Sequence, residues 1–471
     1  MKREHGGMGD MATATVFSNG TGYTLAAIYG LKSGTVVARN VSATHHNMFC
    51  PGLSLDMSGR RVITGGSSPH ETSIYDTTQD SWITGPEMKT GRGYHTQTTL
   101  SDGGIFTIGG SWSGGAGKKD AEVLDSRGGS WGPLSTSSVE PMLTNDSLGL
   151  FAADNHAWLF AWKGGSVFQA GPSAYELVRI QAQGRQASAG TRGMDGDSMD
   201  GNAVMDDVIG GKILILRGAL SYSDCPSTRA AHIITISKPF DAPTVEEIAP
   251  MGYARAYANS VVLPTGDVFI TGGASYAKQW TDANATWMPE LWSSKTGKFT
   301  RLAPMPIPRT YHSVAVLLPG ATVLTGGGGL CWDTCRGHEK EINHMDVQVY
   351  TSPYLFKGLG DGVLAARPVV LGVSNTYYTP FSLVRYGSAT HVMNTDQRRI
   401  RLDPTVSDIN TRGDRPLLGR GRYWMGFGGK PTHYKVSIPD DAGIVIPGYW
   451  MLFAISLDGA PSNAETILIE L

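Results

Sequence analysis

Six residues in five short stretches carry side chains that chemistry could use, and they stand far apart in the chain. Cys50 lies in HHNMFCPG, Tyr94 in TGRGYHTQTT, Trp112 in IGGSWSGG, Tyr311 and His312 in PRTYHSVAVLLP, and His391 in GSATHVMNTDQRRI. Imidazole and phenol oxygen are ligand types for a metal. Taken singly, each residue also has a structural reading. A free cysteine fills a gap in a core. A tyrosine in a strand packs, a lone histidine is a satisfied structural residue, and a tryptophan after a glycine pair caps a sheet. Only their convergence would make a site, so the elements that position them decide the matter.

The chain has 471 residues, enough for two or three domains or for one large repeat domain and a small one. It is 41% apolar and 17% charged with a formal net charge of -2, which gives it no electrostatic preference for nucleic acid or an anionic membrane. The most apolar run, AGIVIPGYWMLFAISL (442–457), is broken by Pro447 and Gly448 and reads as a buried strand pair rather than a membrane span. The opening MKREHGGMGD has no apolar core of a signal peptide. Sequons at Asn19, Asn40, Asn145 and Asn284 lean weakly towards secretion. Cys331 and Cys335, in LCWDTCRG, are close enough for a small disulfide loop. Cys225, in SDCPS, has no evident role.

Repeats decide the architecture. An apolar strand running into a glycine pair recurs as RVITGG (61–66), IFTIGG (105–110), VFITGG (268–273) and TVLTGGGG (322–329). Aromatic residues follow at similar offsets: Tyr75 and Trp82, then Trp131, then Trp292 and Phe299. This is the kelch pattern, one four-stranded propeller blade in roughly 50 residues. The spacing predicts an all-β, seven-bladed propeller over 1–351, a connector over 352–366, and a small immunoglobulin-like β-sandwich over 367–471. The first blade reads as incomplete, the chain opening inside it with MATATVFSNGTGYT.

A propeller alone does not define an enzyme, because many kelch proteins only bind partners. The site stretches, together with MFCPG, DNHAWLF, GSVFQAGPS, GNAVM, GGGGLC and PGYWMLF, resemble the galactose oxidase-like copper-radical oxidases of fungi from about Met48 to the C-terminus. The resemblance implies a single copper ion held by Tyr94, His312 and His391, with Tyr311 axial. It implies a thioether bond joining Cys50 to the Tyr94 ring, Trp112 stacked over the sulfur, and a tyrosyl radical as the second one-electron acceptor. No flavin or nicotinamide fingerprint occurs in the chain. The implied reaction oxidises a primary alcohol to an aldehyde and reduces O2 to H2O2, with Tyr311 as general base. The sandwich is then of the early-set type, and the protein a secreted monomer that uses neither nucleic acid nor a membrane as partner.

Departures from the family bear on substrate. A tyrosine–arginine pair that clamps the sugar is Phe151 and Ala152 here, and a glutamine following a tyrosine is replaced by Ser223 after Tyr222. Loss of polar partners from a sugar site is expensive to a transition state. Apolar positions persist as Trp280 and Phe299, and Phe17 aligns near a substrate-contacting phenylalanine. The pocket is therefore expected to accept aryl or aliphatic alcohols. A galactose oxidase that recognises sugar through other residues, and an inactive kelch binding scaffold, are the alternatives. The Cys331–Cys335 spacing is one residue wider than the family's usual pair.

Overall fold

The computed structural model describes residues 11–18, 24–174, 177–181, 186–329, 343–358, 362–369, 380–406, 423–425 and 434–471. Cys331 and Cys335 lie outside them. Among the described residues seven antiparallel sheets of three or four strands follow one another from Met11 to Tyr350, and a short pairing of Cys225–Pro226 with Tyr276–Ala277 links the fifth to the sixth. The second to sixth have four strands each, beginning with Gly52–Leu55, Thr96–Thr99, Leu159–Trp162, Asn202–Asp207 and Ala256–Val262. The first, starting at Met11–Ser18, and the seventh, starting at Ser313–Leu317, have three strands each among the described residues. First strands of neighbouring sheets touch, as Gly52–Leu55 does Thr96–Thr99 and Ala256–Val262 does Ser313–Leu317. These strands are almost wholly buried, whereas last strands such as Lys298–Arg301 are mostly exposed. The first strands of the second to seventh sheets therefore form the inner wall of the ring.

The glycine pairs end the second strands, where the backbone must turn left-handed beside the next blade. Gly66 has φ +94°, and a Cβ there would strike the carbonyl of Phe49, next to Cys50. Three buried arginines pin these turns. Arg92 donates to Gly109 O at 2.9 Å, Arg255 to Gly272 O at 2.6 Å and Arg309 to Gly327 O at 2.9 Å. Each also meets a carboxylate, Glu122 at 3.0 Å, Glu290 at 2.9 Å and Asp346 at 2.5 Å. Each arginine stands two residues before a tyrosine: Tyr94, Tyr257 and Tyr311. The clip thus fixes the loop that delivers a site residue. The aromatic signature serves packing, since Trp131 donates to Thr72 of the neighbouring sheet at 3.2 Å and Tyr75 pairs with Trp82.

Two further sheets occupy the C-terminal part. One orders Arg399–Leu402, Phe381–Arg385, Gly448–Ala454 and Glu465–Ile469, the other Thr405–Val406, Tyr434–Val436 and Tyr423–Met425. Alternation along the four-stranded sheet feeds two cores. Phe381, Leu383, Trp450 and Leu452 pack with Val436 and with Trp162 and Ile213 of the propeller. Val384, Met451 and Phe453 pack with Val262, Val268 and Trp292. The strand pair expected over 442–457 is only one strand, Gly448–Ala454. Asp441 accepts from Gly443 N at 2.8 Å through its carboxylate and from Ile444 N at 2.9 Å through its carbonyl, which folds the preceding stretch into a buried turn. Among the described residues no helix is long and apolar enough to cross a membrane.

A hairpin from this part closes the ring. Ala389–Thr390 touches both Ser313–Leu317 and Gly52–Leu55, standing between the first strands of the seventh and second sheets. The residues that follow bond to one blade after another. Thr395 donates to Gln97 O at 2.7 Å, and Asp396 accepts from Leu55 N at 2.9 Å. Gln397 accepts from Val262 N at 3.0 Å and donates to Ser260 O at 2.9 Å, while Arg398 donates to Ala161 O at 2.9 Å.

Two outcomes are expected. Glu290→Ala leaves Arg255 buried and uncompensated and costs about 3–5 kcal/mol in urea denaturation, whereas Asp403→Ala, in an exposed pair with Arg401, costs about 1 kcal/mol or less. His46 donates from Nε2 to Gly65 O at 2.7 Å and accepts from Ser73, and burial pulls its pKa down to about 4. Above pH about 6.5 both folded and unfolded states hold it neutral; below that the unfolded chain takes the proton and the folded one does not. Stability should therefore fall as pH drops from about 6.5 to about 4, by roughly 3 kcal/mol from this residue, and His46→Gln should flatten that slope.

Candidate metal centre

The second to seventh sheets each deliver one side chain from the start of the inner strand. Cys50, Tyr94, His156, Asp200, Tyr257 and His312 stand at successive starts, all with left-handed backbone at φ between 54° and 66°. Consecutive members are tied through the backbone: Tyr94 N to Cys50 O, His156 N to Tyr94 O and Tyr257 N to Asp200 O, each 2.9 Å. Where the hairpin replaces an inner strand, His391 and Val392 form its two-residue turn with φ 48° and 62°. That is the backbone of a type I′ turn, which asparagine and glycine would prefer. A β-branched valine there is strained, and such strain persists where surrounding contacts over-determine the position. Asn202 Nδ2 supplies one such contact, donating to Val392 O at 2.6 Å.

The side chains converge in one buried cluster. Cys50 Sγ and the ring nitrogens of His312 and His391 lie within 4.8 Å of one another. The Tyr94 and Tyr311 hydroxyls hydrogen-bond to each other. Tyr311 stacks on His312 with ring centroids 3.9 Å apart, and Tyr94 meets His391 edge-on at 4.8 Å. His312 Nδ1 donates to Gly329 O at 2.9 Å, which leaves Nε2 as the ligand atom, 3.9 Å from Cys50 Sγ. His391 Nδ1 is engaged too, by the Thr390 hydroxyl at 2.7 Å, a group that can donate or accept.

Burial sets the protonation states. It pulls His312 and His156 down to about 3 and His391 well below the ordinary range, so the imidazoles are neutral at any physiological pH. It pushes the Tyr94 and Tyr311 phenols and the Cys50 thiol well up. Two neutral imidazoles, two phenols and a thiol in a water-poor cleft suit a divalent transition metal, whose charge would turn the phenols into phenolates. The donor set fits a copper ion.

The other expected residues divide. Trp112 lies against Tyr94 with ring centroids 4.9 Å apart and planes inclined at 70°. Trp280 stands edge-on to both Tyr311 and His312 at 4.9 Å. Ala152 is buried in the cluster, while Phe151, its neighbour on a four-residue helix, faces outward and is 46% exposed. Tyr222 bonds to Tyr311 hydroxyl to hydroxyl at 2.8 Å, and Ser223 gives its hydroxyl to Gln279 at 2.6 Å. Phe299 is a correction: it lies on the outer strand Lys298–Arg301, paired with Trp292 and packed in a different core, because its place in the kelch pattern puts it there. Phe17 lies on Met11–Ser18, and its side chain is outside the described residues.

Sequence reasoning missed His156, Asp200 and Tyr257. His156 Nε2 reaches the Tyr222 hydroxyl at 3.3 Å, and Tyr257 donates to Tyr222 O at 2.6 Å. Asp200 is buried with Oδ2 unpartnered, and burial keeps its carboxyl well above the usual range. Tyr257 had a signal: Arg255-Ala256-Tyr257 repeats the Arg-x-Tyr spacing at Tyr94 and Tyr311.

Fold and site together define a kelch-type propeller whose bore is closed by an early-set domain around a buried histidine–tyrosine–cysteine centre. Comparison with known proteins agrees. The family model described as "Galactose oxidase-like, Early set domain" matches residues 368–469, and "Glyoxal oxidase N-terminus" matches 197–342. Galactose oxidase of Gibberella zeae is 42% identical over 468 residues, 95% of this chain and 64% of the relative's length, so the chain spans somewhat under two thirds of that protein. Aldehyde oxidase GLOX of Vitis pseudoreticulata is 26% identical over 418 residues, 81% of this chain and 72% of its own. A fungal alcohol oxidase of the AA5 family solved in complex with copper superposes with a TM-score of 0.86 at 36% identity, covering 98% of this chain and 94% of that one. The chain belongs to the galactose oxidase-like family.

In metal-free protein the phenols of Tyr94, Tyr222, Tyr257 and Tyr311 should stay protonated where exposed tyrosines titrate. The phenolate absorbance step near pH about 10 should therefore keep its height in Tyr311→Phe or Tyr257→Phe.

Proposed function

We propose that the chain is a copper-radical oxidase that converts a primary alcohol to an aldehyde and reduces O2 to H2O2. The observation that carries this is the convergence of Cys50, Tyr94, Tyr311, His312 and His391, from the loops of three blades and from the C-terminal domain, in one buried cluster. Tyr94, Tyr311, His312 and His391 would hold the copper, which supplies one of the two one-electron acceptors the oxidation needs. Tyr94 supplies the other, as a phenoxyl radical. A C–S bond between Cys50 Sγ and a Tyr94 ring carbon forms with loss of the S–H and C–H hydrogens to O2, and the sulfur then helps delocalise the radical. Trp112 shields that ring from solvent. Tyr311 takes the alcohol proton, its oxygen already placed by Tyr222.

The pocket wall offers Trp280 and the Ala152 methyl, which favours aryl or aliphatic alcohols. A galactose oxidase activity is the second reading, favoured by the 42% identity to that enzyme. The protein works outside the cell as a monomer, with the propeller over 1–351, the connector over 352–366 and the early-set domain over 367–471.

The test is a panel of benzyl alcohol, 1-butanol and galactose with peroxide detection, after incubation with Cu(II) in air. Mass spectrometry should find the Cys50 and Tyr94 peptides joined and two hydrogens lighter than their sum. A Cys50 that stays a free thiol in folded, copper-loaded protein rejects the radical mechanism. Tyr311→Phe should keep copper but lower kcat by about 10²–10⁴. Turnover of galactose above benzyl alcohol would replace the first reading by the second.

A further inference from the structure

Two loops flank Tyr311; the short strands Cys225–Pro226 and Tyr276–Ala277 pair them at their base, and nearer the site the Gln279 side chain joins them again. The first carries Tyr222, whose hydroxyl bonds to Tyr311 at 2.8 Å. The second carries Trp280, edge-on to Tyr311 and His312. Gln279, directly before Trp280, donates from Nε2 to Tyr222 O at 2.9 Å and accepts the Ser223 hydroxyl on Oε1 at 2.6 Å. A carbonyl only accepts, so the amide can face it only with nitrogen; its orientation follows from the network. Tyr257 gives the same carbonyl a second donor at 2.6 Å, which fills both lone pairs, and Asp146 takes Tyr222 N at 2.5 Å. Tyr222 is thus fixed at N, O and hydroxyl, and Gln279 is the part of that fixation that comes from the Trp280 loop.

Trp280 needs such an anchor. Its φ is +60°, a left-handed backbone that a bulky side chain adopts only where neighbours over-determine it. Ser223 stands where the family's glutamine would, and its hydroxyl is engaged by the Gln279 amide. One polar group has been exchanged for a latch between loops.

We infer that Gln279 is a positioning residue that locks the Trp280 wall to the Tyr222 wall and thereby sets which alcohols the pocket accepts. The selectivity consequence rests on the oxidase reading; the latch does not. Gln279→Ala removes both bonds, and Gln279→Glu puts a carboxylate oxygen against Tyr222 O, so the glutamate variant should be at least as impaired. Ser223→Ala removes one bond and should fall between Gln279→Ala and the parent protein.

The experiment has two readouts. Hydrogen–deuterium exchange on metal-free protein should rise together in peptides spanning 219–227 and 275–285 in Gln279→Ala, with peptides of the inner strands unchanged. In copper-loaded protein of equal Cys50–Tyr94 cross-link content, the kcat/KM ratio of benzyl alcohol to 1-butanol should shift about fivefold or more, the size expected for one or two lost hydrogen bonds. A variant that merely lost stability would lower both rates alike. Exchange at parent levels in both loops overturns the latch, and an unchanged ratio with raised exchange overturns its role in selectivity. If the parent protein oxidises no alcohol while exchange still rises in both loops, the oxidase reading fails and the latch stands.

Discussion

The structure depends on a short segment, Ser388 to Arg398, sitting in the bore of the propeller. Inner strands of a ring turn amides towards the axis that would be orphaned without partners, and a buried unpaired backbone group is costly. Asp396 and Gln397 supply acceptors to Leu55 N and Val262 N, on opposite parts of the ring. Asp396 is itself held by Arg385 at 2.6 Å, a buried pair within the early-set domain. Because Thr395 to Arg398 between them reach four blades, a slip of one position would break all these bonds together. The register that satisfies them is the one that places His391 beside Cys50 and His312.

That placement is bought with backbone strain. Every side chain contributed by an inner-strand start comes from a left-handed, non-glycine residue, each costing on the order of 1 kcal/mol or more. Left-handed geometry at the strand start turns the side chain towards the axis, and the short backbone bonds between neighbouring starts hold it there. The arginine clips act one step further out. Each ties a glycine turn and a carboxylate to the loop that carries a site tyrosine, so the strained positions rest on buried guanidinium groups that each meet a carboxylate. Function and fold share the same loops.

Burial then gives the cluster its chemical character. Neutral imidazoles offer lone pairs without first losing a proton, while phenols that resist ionisation in the bare protein yield to a metal's charge. The hydroxyls of Tyr94, Tyr222 and Tyr311 form one chain of hydrogen bonds, with His156 at its end. The apolar surroundings that raise the phenols also keep water from the Tyr94 ring.

The seven sheets were legible where glycine pairs and aromatics recur, because a left-handed turn and an inter-blade contact demand those residue types locally. The blades starting at Leu159 and Asn202 lack the pair, having Gly171 and Gly218 alone at the equivalent turns, and only the structure sets them in the ring. The residues of the buried histidine–tyrosine–cysteine cluster were expected through resemblance, and Tyr257 is legible in its Arg-x-Tyr spacing. Phe299 was misread as a pocket wall because an outer-strand aromatic and a pocket aromatic look alike in one dimension. Residue types and repeats determined the propeller and the donor atoms, since these follow from local backbone needs. Which of them meet, which face outward like Phe151, and how Gln279 comes to Tyr222 was decided by tertiary structure, because blade order and the threaded segment bring together residues hundreds of positions apart.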